Sequence, residues 1–203
     1  MQSAMVTSGL TGFSVSLTLI VAIGAQNAFL LRQGLRREHV VPLVVICAVS
    51  DALLIAAGIG GLGALVTDRP LLLTAATWGG AAFLLGYGAM AARRALRPDG
   101  ALLPTDRPAT SLRAAVLTCL ALTYLNPHVY LDTVLLIGSI AQRQAHVWIF
   151  GAGAMIASAV WFTALGFTAQ RLAGVLRRPA AWRALDGAVA VIMWVVAASL
   201  LIG

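Results

Sequence analysis

The sequence predicts an all-α integral membrane protein of six transmembrane helices, arranged as two inverted three-helix repeats. Three observations predict it. Apolar residues make up 60% of the 203 residues and charged residues only 10%, with a mean hydropathy of +0.91, so a water-facing surface cannot be covered. Charges and Gly/Pro punctuation cut the chain into six apolar segments, each near the ~20 residues a helix needs to cross ~30 Å of hydrocarbon. The arginines collect in alternate loops, the signature of a chain that crosses and returns.

The first span is expected over 6–31. Residues 1–31 carry no charge, a stretch too long for the apolar core of a signal peptide and without a basic start or clear cleavage site, so it reads as a retained span. The second, 40–67, holds Asp51 about twelve residues in, and glycines 58, 60, 61 and 63 suited to close helix packing. The third is 71–92. The polar stretch 93–113 follows, a loop because of Pro98, Pro104 and Pro108. The fourth span, 114–141, contains the unusual run YLNPHVYLD; the fifth is 146–170 and the sixth 184–203, with Trp148 and Trp182 expected at the membrane interfaces. The domains are then a first repeat over 1–92, a cytoplasmic loop over 93–113 and a second repeat over 114–203.

All the positive charge is arginine. Twelve arginines fall in loops 1–2, 3–4 and 5–6, and only Arg69 and Arg143 fall on the other side. The positive-inside rule places the twelve in the cytoplasm and both termini outside. The same clustering makes topology, and not nucleic-acid binding, the reading of the net charge of +7. The halves also correspond. A shift of 107 residues lays GAAFLLGY (80–87) over GAVAVIMW (187–194) and Asp51 over Ser158; a shift of 99 lays Asn27 over Asn126. An odd number of helices per repeat forces the second into inverted orientation, and such folds bind substrate at the repeat interface near the midplane.

The candidate site comes from polar residues at membrane depth. Pro127 lacks an N–H and so breaks the fourth helix, while Asn before Pro suits an N-cap and Pro the first helical position. Asn126-Pro127 therefore reads as the end of one half-helix and the start of another, whose free N–H groups and partial positive charge form a receptor for a carboxylate. A plain structural kink is the alternative. At the equivalent place in the first repeat stands GAQN: Gly24 can end a helical turn and Asn27 can cap the next, with Gln26 beside them. Asp51 and Asp132 are costly in a bilayer and must face a cavity or a partner; the alternative to a cavity is structural ion pairing, with Arg32 as a candidate. His128 lies one turn from Asp132 and would share its face. Carboxylates beside a carboxylate-binding half-helix suit a zwitterion with an extra positive charge, a basic amino acid, and such acids can also carry a proton. There is no nucleotide-binding loop, so an ion gradient is the expected energy source. No cofactor is expected, and no metal site, since the chain lacks CxxC and any His/Cys cluster. Cys47 and Cys119 leave one rival reading, a membrane thiol–disulfide redox protein, which their apolar surroundings disfavour.

These residues resemble the LysE-type exporters of lysine and arginine in bacterial inner membranes. The resemblance covers nearly the whole chain: GAQNAFLLRQGLRRE, SDALLIAAG, TWGGAAFLLGYG, TYLNPHVYLDT and ASAVWFTALGF. The Asn-Pro-His and Tyr-Leu-Asp pattern is similar to the arginine-exporter branch. The resemblance implies a secondary exporter of basic amino acids exchanging with protons, in which Asp51 and Asp132 matter, and not an enzyme. The family's first span usually reads Gly-Pro-Gln-Asn, whereas this chain has Ala25 in the proline position, which puts the first half-helix break in question. The sequence leaves oligomeric state open, a homo-oligomer included.

Overall fold

A computed structural model describes residues 1–21, 24–61, 70–96, 110–174 and 179–202. Every element in it is a helix. Helix α1 (Gln2–Val21) and α2 (Ala25–Arg36) divide the first predicted span; α3 (Val40–Ile59) and α4 (Pro70–Leu96) follow. The fourth predicted span is α5 (Leu112–Tyr124) and α6 (Pro127–Ala141), and α7 (Val147–Leu172) and α8 (Pro179–Ile202) complete the chain.

Among the described residues, four helices are long and apolar enough to cross a membrane: α1, α3, α7 and α8. The α5–α6 pair, bent by 60° at its break, makes a fifth. Helix α4, 27 residues long, packs along α8. Several boundaries differ from expectation: α2 runs to Arg36, five residues past the predicted end at 31, and α3 ends at Ile59, short of the predicted 67. The first helix begins at Gln2, four residues before the predicted start, since residues 2–5 include no glycine, proline or charged side chain to interrupt it. Helix α4 runs through Arg93 and Arg94 to Leu96, four residues into the predicted loop, since no proline intervenes before Pro98. Helix α8 starts at Pro179, where proline suits a first turn. The loop prediction over 97–109 lies outside the described residues.

Packing interleaves the two halves. Helix α7 lies against α1 and α2, α3 lies against α5 and α6, and α3 also meets α7. Small residues permit these approaches. A Cβ added at Gly58 would meet the Val134 carbonyl oxygen at 2.5 Å, and one at Gly138 the Gly58 oxygen at 2.8 Å, so α3 and α6 touch backbone to backbone. Of the other glycines expected to serve packing, Gly60 faces only its own helical turn, Gly61 turns the chain at φ +86° with open space around it, and Gly63 lies outside the described residues. The apolar core joins Phe29, Leu43, Leu84, Leu122, Phe162 and Met193 from six helices.

Candidate functional site

The two helix breaks are built differently. At the second, Asn126 adopts extended backbone and its side-chain oxygen accepts from the His128 N–H at 3.1 Å, capping α6 with Pro127 at the first helical position. The Tyr130 hydroxyl reaches back to donate to the Tyr124 carbonyl at 2.8 Å, satisfying an acceptor that the break exposes. Residues Tyr130–Leu136 then form a π-helical turn, in which the Ile137 N–H reaches the Asp132 carbonyl, a widening that commonly marks functional positions.

At the first break, α1 ends at Val21 and α2 starts at Ala25, so the helix is interrupted without the family's proline. Gly24 holds the N-cap position in extended backbone, φ −98° and ψ 177°, with no side-chain cap. The expectation that Asn27 caps the next helix is corrected. It sits inside α2, donates its amide to the Ile20 carbonyl at 2.7 Å, and accepts from Trp161 Nε1 at 3.2 Å. Because α2 begins three residues earlier than a cap at position 27 requires, Asn27 instead ties the two half-helices together and anchors them to α7.

Between these breaks lies a cavity of about 310 Å³. Gly24, Gln26, Asn27, Asp51, Asn126, His128 and Asp132 all line it; Pro127 is buried beside it, close to Gly80 of α4. Asp51 is 5% exposed and accepts a hydrogen bond from the Ser158 hydroxyl at 2.8 Å. These two positions are separated by 107 residues, the offset that lays GAAFLLGY (80–87) over GAVAVIMW (187–194). Asp132 lines the same cavity but remains exposed, and His128 meets the Ser199 hydroxyl at 3.2 Å. Neither aspartate pairs with an arginine among the described residues. Arg32, the candidate partner, instead binds Asp186 at 2.8 Å. The amide nitrogen of Gln26 is buried at the cavity wall without a nitrogen or oxygen hydrogen-bond partner among the described residues.

Several residues were not signalled by the sequence. Ser199 sits in an apolar run that gives it no local mark, and Trp161 reads as ordinary span content. Asp186 lies just inside the sixth span beside Arg183 and reads as a loop-end charge, yet it is 2% exposed. Cys47 and Cys119 are free and buried, with sulfurs 3.5 Å apart.

Outside the spans, burial raises the Glu38 carboxyl, but the Arg36 guanidinium at 2.7 Å and Thr110 outweigh it and hold its pKa below the usual value. This contact and His39 Nε2 to the Thr110 carbonyl at 2.7 Å tether the α2–α3 connection to the start of α5.

Comparison with known proteins gives a consistent result. The LysE type translocator family model matches residues 17–203. The chain is 53% identical over 187 residues, 92% of each chain, to a protein of Mycobacterium tuberculosis named as a candidate amino-acid transporter. It is 43% identical to the arginine exporter protein ArgO of Serratia proteamaculans, covering 94% of each chain. It is 36% identical to the lysine exporter LysE of Corynebacterium diphtheriae, covering 95% of this chain and 97% of the other. No solved structure matches.

Proposed function

Because this chain belongs to the LysE type translocator family, a group of multi-pass membrane transporters, we propose that it is a secondary active exporter of basic L-amino acids: L-arginine, with L-lysine and analogues such as canavanine, in exchange for protons. The observation that carries this reading is one shared cavity in which Asp51 and Asp132, neither paired with an arginine among the described residues, face the N-terminal ends of two half-helices. The substrate carboxylate is received by the backbone N–H groups at the starts of α2 and α6, with Gln26 and Asn126 at hand. Its cationic side chain is balanced by Asp51 and Asp132, and His128 stands on the same wall. Two carboxylates without a fixed cation are also a place where a proton can replace the departing cation, which couples export to proton entry. The volume, about 310 Å³, falls at the small end of the ~300–1,000 Å³ range of ligand pockets, suited to one amino acid.

In this reading the six spans form two inverted repeats over 1–92 and 114–203, in a bacterial inner membrane, with the arginine-rich loops in the cytoplasm and both termini outside. The interleaved packing and the Asp51–Ser158 contact at the repeat offset support that symmetry. The relatives support transport and not catalysis. The thiol–disulfide alternative lacks support: Cys47 and Cys119 are 0% and 1% exposed, which denies a partner access to either sulfur.

The deciding experiment is counterflow of labelled arginine in proteoliposomes, competed with lysine, citrulline and neutral amino acids. Arginine and lysine should compete and neutral residues should not, and an imposed pH gradient should drive arginine uphill. Competition by neutral amino acids, or flux that only dissipates gradients, would refute the reading.

A further inference from the structure

Among the described residues, a three-residue charge cluster lies away from the cavity. Asp186 of α8 receives two guanidinium groups on one oxygen, Oδ1: Arg32 Nε from α2 at 2.8 Å and Arg94 Nε from α4 at 3.2 Å. The three helices belong to the first, third and sixth spans, and the cluster sits at their arginine-rich ends. It is buried, with Arg32 and Asp186 side chains 7% and 2% exposed, and Arg94 26%.

The two arginines are not held equally. Arg32 is the shorter and more buried contact. Arg94 is longer and partly exposed, and its Nη2 is buried without a hydrogen-bond partner among the described residues. Its guanidinium lies 5.9 Å from the ring centroid of Tyr87, which packs against Phe29 and Phe83. A buried carboxylate flanked by an aromatic face is an arrangement that selects a cation, and a planar guanidinium best of all. Here Arg94 occupies that arrangement, by a longer contact than Arg32 makes.

Helix α2 joins this cluster to the cavity. Arg32 lies seven residues beyond Ala25, about 10 Å along the helix, and none of the three cluster residues lines the cavity. On the exporter reading, substrate arriving from the arginine-rich face meets this cluster first.

We propose that Asp186 and Tyr87 form an entry subsite for the guanidinium or ammonium group of the substrate on the cytoplasmic face, occupied in this structure by Arg94 as a displaceable stand-in. The incoming cation replaces Arg94 on the carboxylate, so no charge is left unpaired during the exchange, and Arg94 swings toward solvent to release α4 from α8. Arg32 keeps Asp186 oriented throughout.

This inference rests on the exporter reading, and the test separates the two. Inside-out membrane vesicles present the arginine-rich face to labelled arginine, and KM is measured there and by counterflow from the opposite face. Arg94→Gln removes the competitor and should lower KM from the arginine-rich face by about threefold or more, while Asp186→Asn should raise it about tenfold, the equivalent of one charge-assisted hydrogen bond. Counterflow KM from the other face should stay unchanged in both. A cluster that only staples three helices predicts the same sign for both variants, seen from both faces. Arg94→Gln, at the more exposed position, decides alone if Asp186→Asn fails to insert. Wild-type transport with an unchanged or raised KM in Arg94→Gln overturns the subsite alone. A wild-type protein that carries no cationic amino acid overturns the exporter reading and the subsite with it.

Discussion

Asp51 and Asp132 differ in surroundings although they share a cavity. Asp51 is buried and held by Ser158, whereas Asp132 is exposed on a helix widened by a π turn. Both roles proposed for them, balancing a cation and carrying a proton, need a group that ionises. Asp51→Asn and Asp132→Asn should therefore insert normally yet lose export; for the buried Asp51, removing one charge of a desolvated pair costs about 3–5 kcal/mol, more than a hundredfold in affinity. Efflux assays with protein quantified in the membrane check this; normal export with unchanged pH dependence in both variants would make the acids structural. Glu38 gives a prediction at the same scale. Its pKa is lowered in the folded state, so its contribution is present above the unfolded carboxylate pKa and fades as pH falls through the folded one. Protection of the Thr110 amide from hydrogen exchange, relative to its intrinsic rate at each pH, should fall below about pH 4, and Glu38→Gln should remove that pH dependence. No acid-induced change in the wild type would show that the tether does not depend on this charge.

At the scale of elements, the two broken helices solve one problem with different residues. Asn126-Pro127 ends one helix and starts another through chemistry that any reader of the sequence can identify: a side-chain cap followed by a residue without an N–H. The first break relies on Gly24 in extended backbone and on Asn27 bridging to Ile20. Asn126→Leu removes a cap worth about 0.5–2 kcal/mol and should cut export several-fold or more with the protein still inserted. Asn27→Leu severs both the bridge across the break and the Trp161 contact, so its loss should be at least as large. Wild-type efflux from both variants would reduce these asparagines to ordinary packing. The cap at 126 was legible because capping is local. The bridge made by Asn27 was not, because its partners lie on α1 and α7.

For the whole molecule, the arginine distribution and the repeat offset make one prediction. Reporter tags at both termini should read out on the periplasmic side and a tag within 98–108 in the cytoplasm. An N-terminal tag found inside the cell would overturn the six-span inverted arrangement and favour five spans. The arrangement has a physical rationale in the packing, since α3 and α7 each lie against the broken helix of the other half. In that exchange positions 51 and 158 meet, and the cavity takes lining residues from both halves of the chain.

The sequence by itself determined that the chain is helical and apolar and where polar residues interrupt its spans. Apolar length dictates spans, Pro127 and Gly24 interrupt two of them, and an aspartate in an apolar span demands a cavity or a partner; all three are properties of a segment and the solvent around it. Which acid faces what was decided only by tertiary structure. Arg32 was available to Asp51 by composition, yet packing of α2 against α8 delivers it to Asp186 and leaves Asp51 with Ser158. The same packing brings Ser199 to His128 and the sulfurs of Cys47 and Cys119 within 3.5 Å. Pairings of this kind depend on how helices distant in the chain rotate against one another. Rotation is fixed by the summed fit of small and large side chains along whole interfaces, a quantity no local motif carries.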